Sequence, residues 1–332
     1  MLEVLNETDC SYQSFVATIV EMVKAKMGED YTVQVYKVIK NNSLELDSLI
    51  LLMEGRSFAP NIYLQPYYEA YLDGISMEEI ADRLCCVYRD CPPPVTGGDF
   101  DYTFEAVKKN IVYRLINYEK NQKLLEKVPY LQFLDFAITF HCLVHYGQDG
   151  IGTIRITNEH ISHWKVSLEE LKELAAENTR NQFPPMIRSM DEVLRRMMDD
   201  SDGQDGEKEV FRKTSLEAPR EASMDEILDE LVRNKEGSKK MYILTNSQGI
   251  NGATCLLYGD ILKNFSNHLK SDLFILPSSI HEIILVPDDC SVSKERLRDM
   301  VIDVNQNQVA KEEVLSDQVY YYSREKDAIS FA

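Results

Sequence analysis

Four of the six histidines in this chain fall between His141 and His163, and neutral imidazole is a common metal ligand. Their spacing limits what they can do. His141 and His145 are four residues apart, so a helix would bring them to one ion, whereas a strand rising about 3.3 Å per residue sets them roughly 13 Å apart. Phe136, Ile138, Phe140, Cys142 and Val144 alternate with Ala137, Thr139, His141, Leu143 and His145. That is period two, which predicts a strand. The H-E-x-x-H arrangement of a helical zinc site is absent, since Cys142, Leu143 and Val144 lie between the two imidazoles. His141, His145, His160 and His163 are therefore metal candidates only through a site assembled across a hairpin. The plainer reading is ordinary half-exposed histidines, with no cofactor expected.

Ser278, Ser279, His281 and Glu282 contain the side-chain types of a nucleophile system. Catalytic triads, however, draw their members from distant segments and need a third group to orient the base. Adjacent strand residues point to opposite faces, which keeps His281 and Glu282 from pairing, and no G-x-S-x-G elbow occurs. The stretch from Ser271 to Asp289 reads as a structural hairpin: apolar runs at Leu273–Leu276 and Ile283–Val286 are joined through Pro277, Ser278, Ser279 and His281. A proline with two serines predicts a tight turn there. Asp199, Asp202 and Asp205 lack the order and terminal glutamate of a calcium loop. The glycines at 97–98 and 249–252 are too sparse to cradle a phosphate. Tyr63, Tyr67, Tyr68 and Tyr71 offer a stacking platform for bases, but Glu69 and Asp73 beside them favour packing or a protein contact.

The whole chain has 332 residues, 55 acids against 36 bases and a formal charge of −19. Such an excess of carboxylates argues against holding a nucleic-acid backbone, because that binding needs lysines and arginines to displace counterions. Much of the charge is local, with 14 acids and 6 bases from Asp191 to Glu230. Seven cysteines, an odd number without C-x-x-C spacing, point to small buried hydrophobes rather than to disulfides or a zinc knuckle. No basic and apolar leader opens the sequence and no apolar run approaches the roughly 18 residues of a membrane span, so the expectation is a cytoplasmic protein that engages no membrane.

The elements follow from local pattern. Phe15, Ile19, Met22, Val23 and Met27 form one stripe of a helix over Ser11–Met27, stopped by Gly28. Tyr31–Ile39 and Leu44–Met53 read as a hairpin across Asn41, Asn42 and Ser43, with a third strand at Asn61–Gln65 and a helix opened by Pro66 and closed by Gly74. Capping boxes at Ser76, Ser167 and Ser223 start three more helices. A helix, a strand and a polar segment fill Phe100–Lys127, the strand at Ile111–Ile116; Gly150–Thr157 pairs with the histidine strand across a turn at Gln148, Asp149 and Gly150. Met241–Thr245 is a strand, Ala253–Leu269 a single helix weakened at Gly259, Ser293–Val304 a helix and Gln318–Tyr322 the last strand. Pro92–Pro94 with Gly97 and Gly98 mark a boundary. The expected architecture is α+β: antiparallel sheets with packed helices in two modules, 1–94 and 100–332, the second interrupted by an acidic linker at about 199–222.

Four phrases in this order, KNNSLELDSL at Lys40–Leu49, APNIYLQPYYEAYLDG at Ala59–Gly74, TIRITNEHISHWKVSLEEL at Thr153–Leu171 and LFILPSSIHEIILVP at Leu273–Pro287, resemble a bacterial family known only as a domain of unknown function, number 5688. The resemblance spans nearly the whole chain and implies a fold and an intracellular bacterial setting, but no activity and no catalytic residues. The residues themselves favour a non-enzymatic binding or accessory protein with a protein partner. Two alternatives remain: a metal-dependent or hydrolytic enzyme using the region from His141 to His163, and an acidic decoy that occupies a nucleic-acid-binding partner.

Overall fold

Phe15, Ile19 and Val23, spaced at four residues, all lie at or below 1 % exposure, which is what an amphipathic stripe does once it finds a sheet to cover. They belong to α1 (Asn6–Met27), the first element in a computed structural model that describes residues 6–53, 61–90, 102–147, 150–193, 241–277, 279–289 and 293–332. The chain divides into two compact units, Met1–Tyr102 and Thr103–Ala332. The fold is α+β, and every strand pair is antiparallel.

In the first unit Gly28 ends α1 at a φ of +84° that other residues rarely adopt. Strands β1 (Tyr31–Ile39) and β2 (Glu45–Met53) pair from Tyr31 opposite Met53 to Ile39 opposite Glu45. Asn42 and Ser43 turn the chain between them with positive φ. The third strand is shorter than the pattern implied: β3 is only Ile62–Tyr63, beside Ser48 and Leu49, because Gln65 already begins helix α2 (Gln65–Leu72) with Pro66 in its first turn. Ser76 caps α3 (Met77–Asp90) by accepting from Glu79 N–H at 3.2 Å. The reciprocal half of that box is replaced, since the Glu79 carboxylate takes Arg83 instead. Phe15, Ile19, Val23, Leu49, Leu51, Ile80 and Leu84 make one core, and Tyr88 donates its hydroxyl to the Leu49 carbonyl beneath it.

The second unit begins with α4 (Phe104–Val107) and centres on a sheet of β4 (Ile111–Asn117), β5 (Tyr130–Phe133), β6 (Phe136–Gly147) and β7 (Gly150–Arg155). The long β6 takes β4 on one side and β5 and β7 in succession on the other. A short helix α5 (Gln122–Leu125) precedes β5 and packs Leu124 and Leu125 on Ile116 and Ala137. Thr157 caps α6 (Asn158–Trp164) and Ser167 caps α7 (Leu168–Gln182). Along the outer edge of β4, α7 supplies side chains where a further strand would supply backbone: Asn178 donates to the carbonyls of Lys108 and Ile111, and Thr179 Oγ1 accepts from Tyr113 N–H at 3.0 Å. The edge is thereby closed to another chain.

A second, six-stranded sheet carries the rest. It contains β8 (Pro185–Ser189), β9 (Tyr242–Asn246), β10 (Leu273–Leu276), β11 (Ile283–Pro287), β12 (Tyr320–Ser323) and β13 (Ala328–Phe331) in the order β13-β12-β10-β11-β9-β8. Helices α8 (Ile261–Leu269) and α9 (Lys294–Asn307) belong to this half. The two sheets are tied through Asp135, which accepts from the hydroxyls of Tyr320 and Ser316, and through Asn117, which donates to the Leu315 carbonyl at 2.9 Å. The Phe136 and Tyr320 rings meet at 5.1 Å.

The single helix expected over Ala253–Leu269 is two. A 3-10 segment runs from Gly252 to Leu257, Tyr258 is extended, and α8 starts afresh at Ile261. The aligned apolar positions are still met, but Gly259 and Asp260, poor helix formers side by side, let the chain turn between them. The sequence pattern did not mark β5, β8 or β13. The boundary at Pro92–Pro94 and Gly97–Gly98, the linker at 199–222, the Ser223 box and the turn residues Gln148 and Asp149 lie outside the described residues. Among the described residues no helix is long and apolar enough to cross a membrane.

Candidate functional site

The histidine strand is a strand, as its alternation predicted, and β6 occupies the middle of its sheet. Register places Val112, Arg114 and Ile116 of β4 opposite His141, Thr139 and Ala137 of β6, with Arg155 and Thr153 of β7 opposite His141 and Leu143. Opposed residues share a face, so one face carries Arg114, His141 and Arg155 with Thr139 and Thr153 among them. His141 is buried, and its Nε2 lies 3.2 Å from Thr139 Oγ1. Burial, then the charges of Arg114 and Arg155, hold its pKa well below the ordinary imidazole value, which leaves the ring neutral. Arg114 is half-buried and donates from Nη2 to Thr153 Oγ1 at 2.9 Å. Burial and the Arg155 charge bring its pKa down to about 10.

The other histidines of this region do other work. His160 completes the cap of α6: its N–H donates to Thr157 Oγ1 at 3.4 Å while its Nδ1 accepts from Thr157 N–H at 3.0 Å. Its ring also stacks on Trp164 with centroids 5.6 Å apart. An imidazole thus takes the position that glutamate or glutamine fills in the usual capping box. His163 is exposed on the same helix. The side chain of His145 lies outside the described residues. Among the described residues no group of three or more histidine, cysteine, aspartate or glutamate side chains is placed to hold a metal ion.

The segment read as a tight turn is a wider connection, from Pro277 to Glu282 between the end of β10 and the start of β11. It is wide because two other stretches bond into it. Ser316 N–H donates to the Pro277 carbonyl, Ile280 N–H donates to the Glu313 carbonyl, and Ala253 N–H donates to the Ile280 carbonyl. Ser279 forms a bridge with Val314, and its hydroxyl accepts from His281 N–H at 3.0 Å. Ser278 lies outside the described residues. His281 does not pair with Glu282, in keeping with their alternation; its Nδ1 accepts from Asn251 N–H at 3.2 Å and its Nε2 faces Glu313 Oε1 at 3.4 Å. Glu282 is half-buried, and desolvation raises its pKa. Gly252 packs so closely here that a Cβ would stand 2.1 Å from Thr245 Oγ1 and 2.4 Å from the His281 carbonyl.

The buried cysteines are poor nucleophiles. Burial pushes the thiols of Cys142 and Cys255 up to about 12 and raises that of Cys85, so the reactive thiolate is scarce at neutral pH. The side chain of Cys10 and all of Cys91 and Cys290 lie outside the described residues.

Arg114, Thr153 and Arg155 were not singled out by sequence reasoning. A signal existed: an arginine at the centre of the apolar run Ile111–Ile116 and another closing Gly150–Arg155 are unusual in strands whose neighbours are buried.

A family model described as a family of unknown function (DUF5688) matches residues 12–324. That span covers most of the chain, which therefore belongs to this family. No curated protein and no solved structure matches.

Proposed function

We propose that this member of the DUF5688 family is an intracellular binding or accessory protein with no bond-breaking step of its own. One observation carries the reading: several of the described side chains suited to acid, base or nucleophile work are occupied by the architecture. His160 and His281 each give a ring nitrogen to a backbone N–H, and the Cys142 and Cys255 thiols are held protonated by burial. A general base needs a free lone pair within reach of its substrate's proton, and a thiol nucleophile needs to ionise.

The test is a panel of chromogenic carboxylic, phosphoric and peptide substrates, run on the full chain with zinc, with manganese and with a chelator. The expected result is turnover no greater than that of heat-denatured protein. Turnover that His141→Ala, His160→Ala or His281→Ala abolishes would overturn the reading in favour of a hydrolytic or metal-dependent enzyme.

A further inference from the structure

We propose that the Arg114, His141 and Arg155 face of the central sheet in the second unit is a binding site for the oxyanion group of a small ligand, a carboxylate or a phosphate. This site rests on the binding reading above and names the chemistry of what is bound.

The first support is the composition of the face. Register brings Val112, Arg114 and Ile116 of β4, Ala137, Thr139 and His141 of β6, and Thr153 and Arg155 of β7 together. These residues include two arginines and a histidine and not one carboxylate, in a chain whose 55 acids outnumber its 36 bases. The charged side chains that register brings to this face are therefore both arginines. Further support comes from Arg114 itself. A guanidinium has five N–H donors in a planar fork, and among the described residues the one hydrogen bond it makes is to the neutral hydroxyl of Thr153. No carboxylate among the described residues pairs with it. A half-buried cation normally recruits a counter-charge, because removing it from water is costly without one.

Arg155 has contacts of its own, so the site stands on Arg114 and takes from Arg155 only added positive potential. The lowered pKa of Arg114, caused first by burial and then by the Arg155 charge, agrees with a cation that has no carboxylate partner among the described residues. A planar or tetrahedral oxyanion answers both deficits, taking two parallel N–H bonds from the fork and screening the two arginines from one another. Thr153 stands beside the fork as a hydroxyl group, and neutral His141 adds no third charge, which suits a small anion better than a polyanion.

The test is isothermal titration of the full chain at low ionic strength with inorganic phosphate and, separately, with succinate, against a chloride control. Binding of either anion is expected, the arm that responds naming the ligand class. Arg114→Gln is expected to weaken it by at least about tenfold, the scale of a lost charged hydrogen bond, and Arg114→Lys by less, since lysine keeps the charge without the fork. Should Arg114→Gln fail to fold, Thr153→Val removes the group that orients the guanidinium and is expected to weaken binding in a folded chain. Failure of both anions to bind the natural chain, or binding unchanged in Arg114→Gln or, if that variant does not fold, in Thr153→Val, overturns the site. Neither probe has a bond for the chain to break, so such a result leaves the non-enzymatic reading standing, whereas turnover in the substrate panel refutes that reading and leaves this titration intact.

Discussion

The histidine region and the loop from Pro277 to Glu282 invite comparison because they reversed roles between sequence and structure. The histidine region is dense in chemically capable side chains, yet its described histidines separate: His141 is buried on β6 among arginines, His160 is part of a helix cap and His163 faces solvent. The loop has the residues of a simple turn, yet it gathers backbone bonds from residues near 253 and from 313 to 316. Density along a chain is not convergence in space. A strand spreads its residues at about 3.3 Å each, while a loop whose carbonyls and N–H groups must be satisfied draws in whatever segments can satisfy them.

The sharpest way to break this comparison is at Gly252. If the loop is where three stretches lock together, Gly252→Ala forces a Cβ to within 2.4 Å of the His281 carbonyl, and should destabilise the second unit by about 3 kcal/mol, the upper range for overpacking. The single tryptophan, Trp164, belongs to that unit, so its fluorescence in a urea titration reports the loss. A midpoint equal to that of the natural chain would mean the loop is no lock.

Next in size is the effect of acid on His141. A histidine whose folded pKa lies well below its unfolded value contributes stability that is complete above the unfolded pKa of about 6.5 and is lost as pH falls below it, because only the unfolded chain takes the proton. His141→Gln should flatten the fall in urea midpoint between pH 7.5 and 5, and His163→Gln should not. Equal slopes in all three proteins would show that no buried, neutral imidazole at position 141 couples folding to acid.

Thr157→Ala removes the hydroxyl that caps α6 and should cost about 1 kcal/mol, measured by the same fluorescence. The smallest effect is a gain. Desolvation raises the pKa of Glu282, so its ionised form destabilises the fold as pH rises through the ordinary carboxylate range. Glu282→Gln should raise the urea midpoint at pH 7, with the difference vanishing below that range. A lower midpoint at pH 7 would show that the carboxylate supports the loop.

Much of the first unit was legible because its signals are local. The stripe of Phe15, Ile19 and Val23, the stop at Gly28, the bend at Asn42 and Ser43 and the serine before Met77 all act within a few residues. The strands that escaped notice in the second unit lack such signals. β8 begins with Pro185 and sits at the edge of its sheet, where a missing N–H is tolerated, so its proline argued against a strand until its place was known. β5 and β13 are four residues each, too short for alternation to stand out.

The sequence by itself determined the α+β character, the face on which each long element buries its apolar side chains and the placing of His141 on a strand, since these depend on periods of two and 3.6 residues that neighbours enforce. Tertiary structure alone decided that Arg114 and Arg155, 41 positions apart in the sequence, would flank one imidazole, and that His281 would meet Asn251 and Glu313 rather than Glu282. Strand order and register make those neighbours. They are set by which distant segments satisfy one another's backbone and apolar surface, and no window along the chain contains that information.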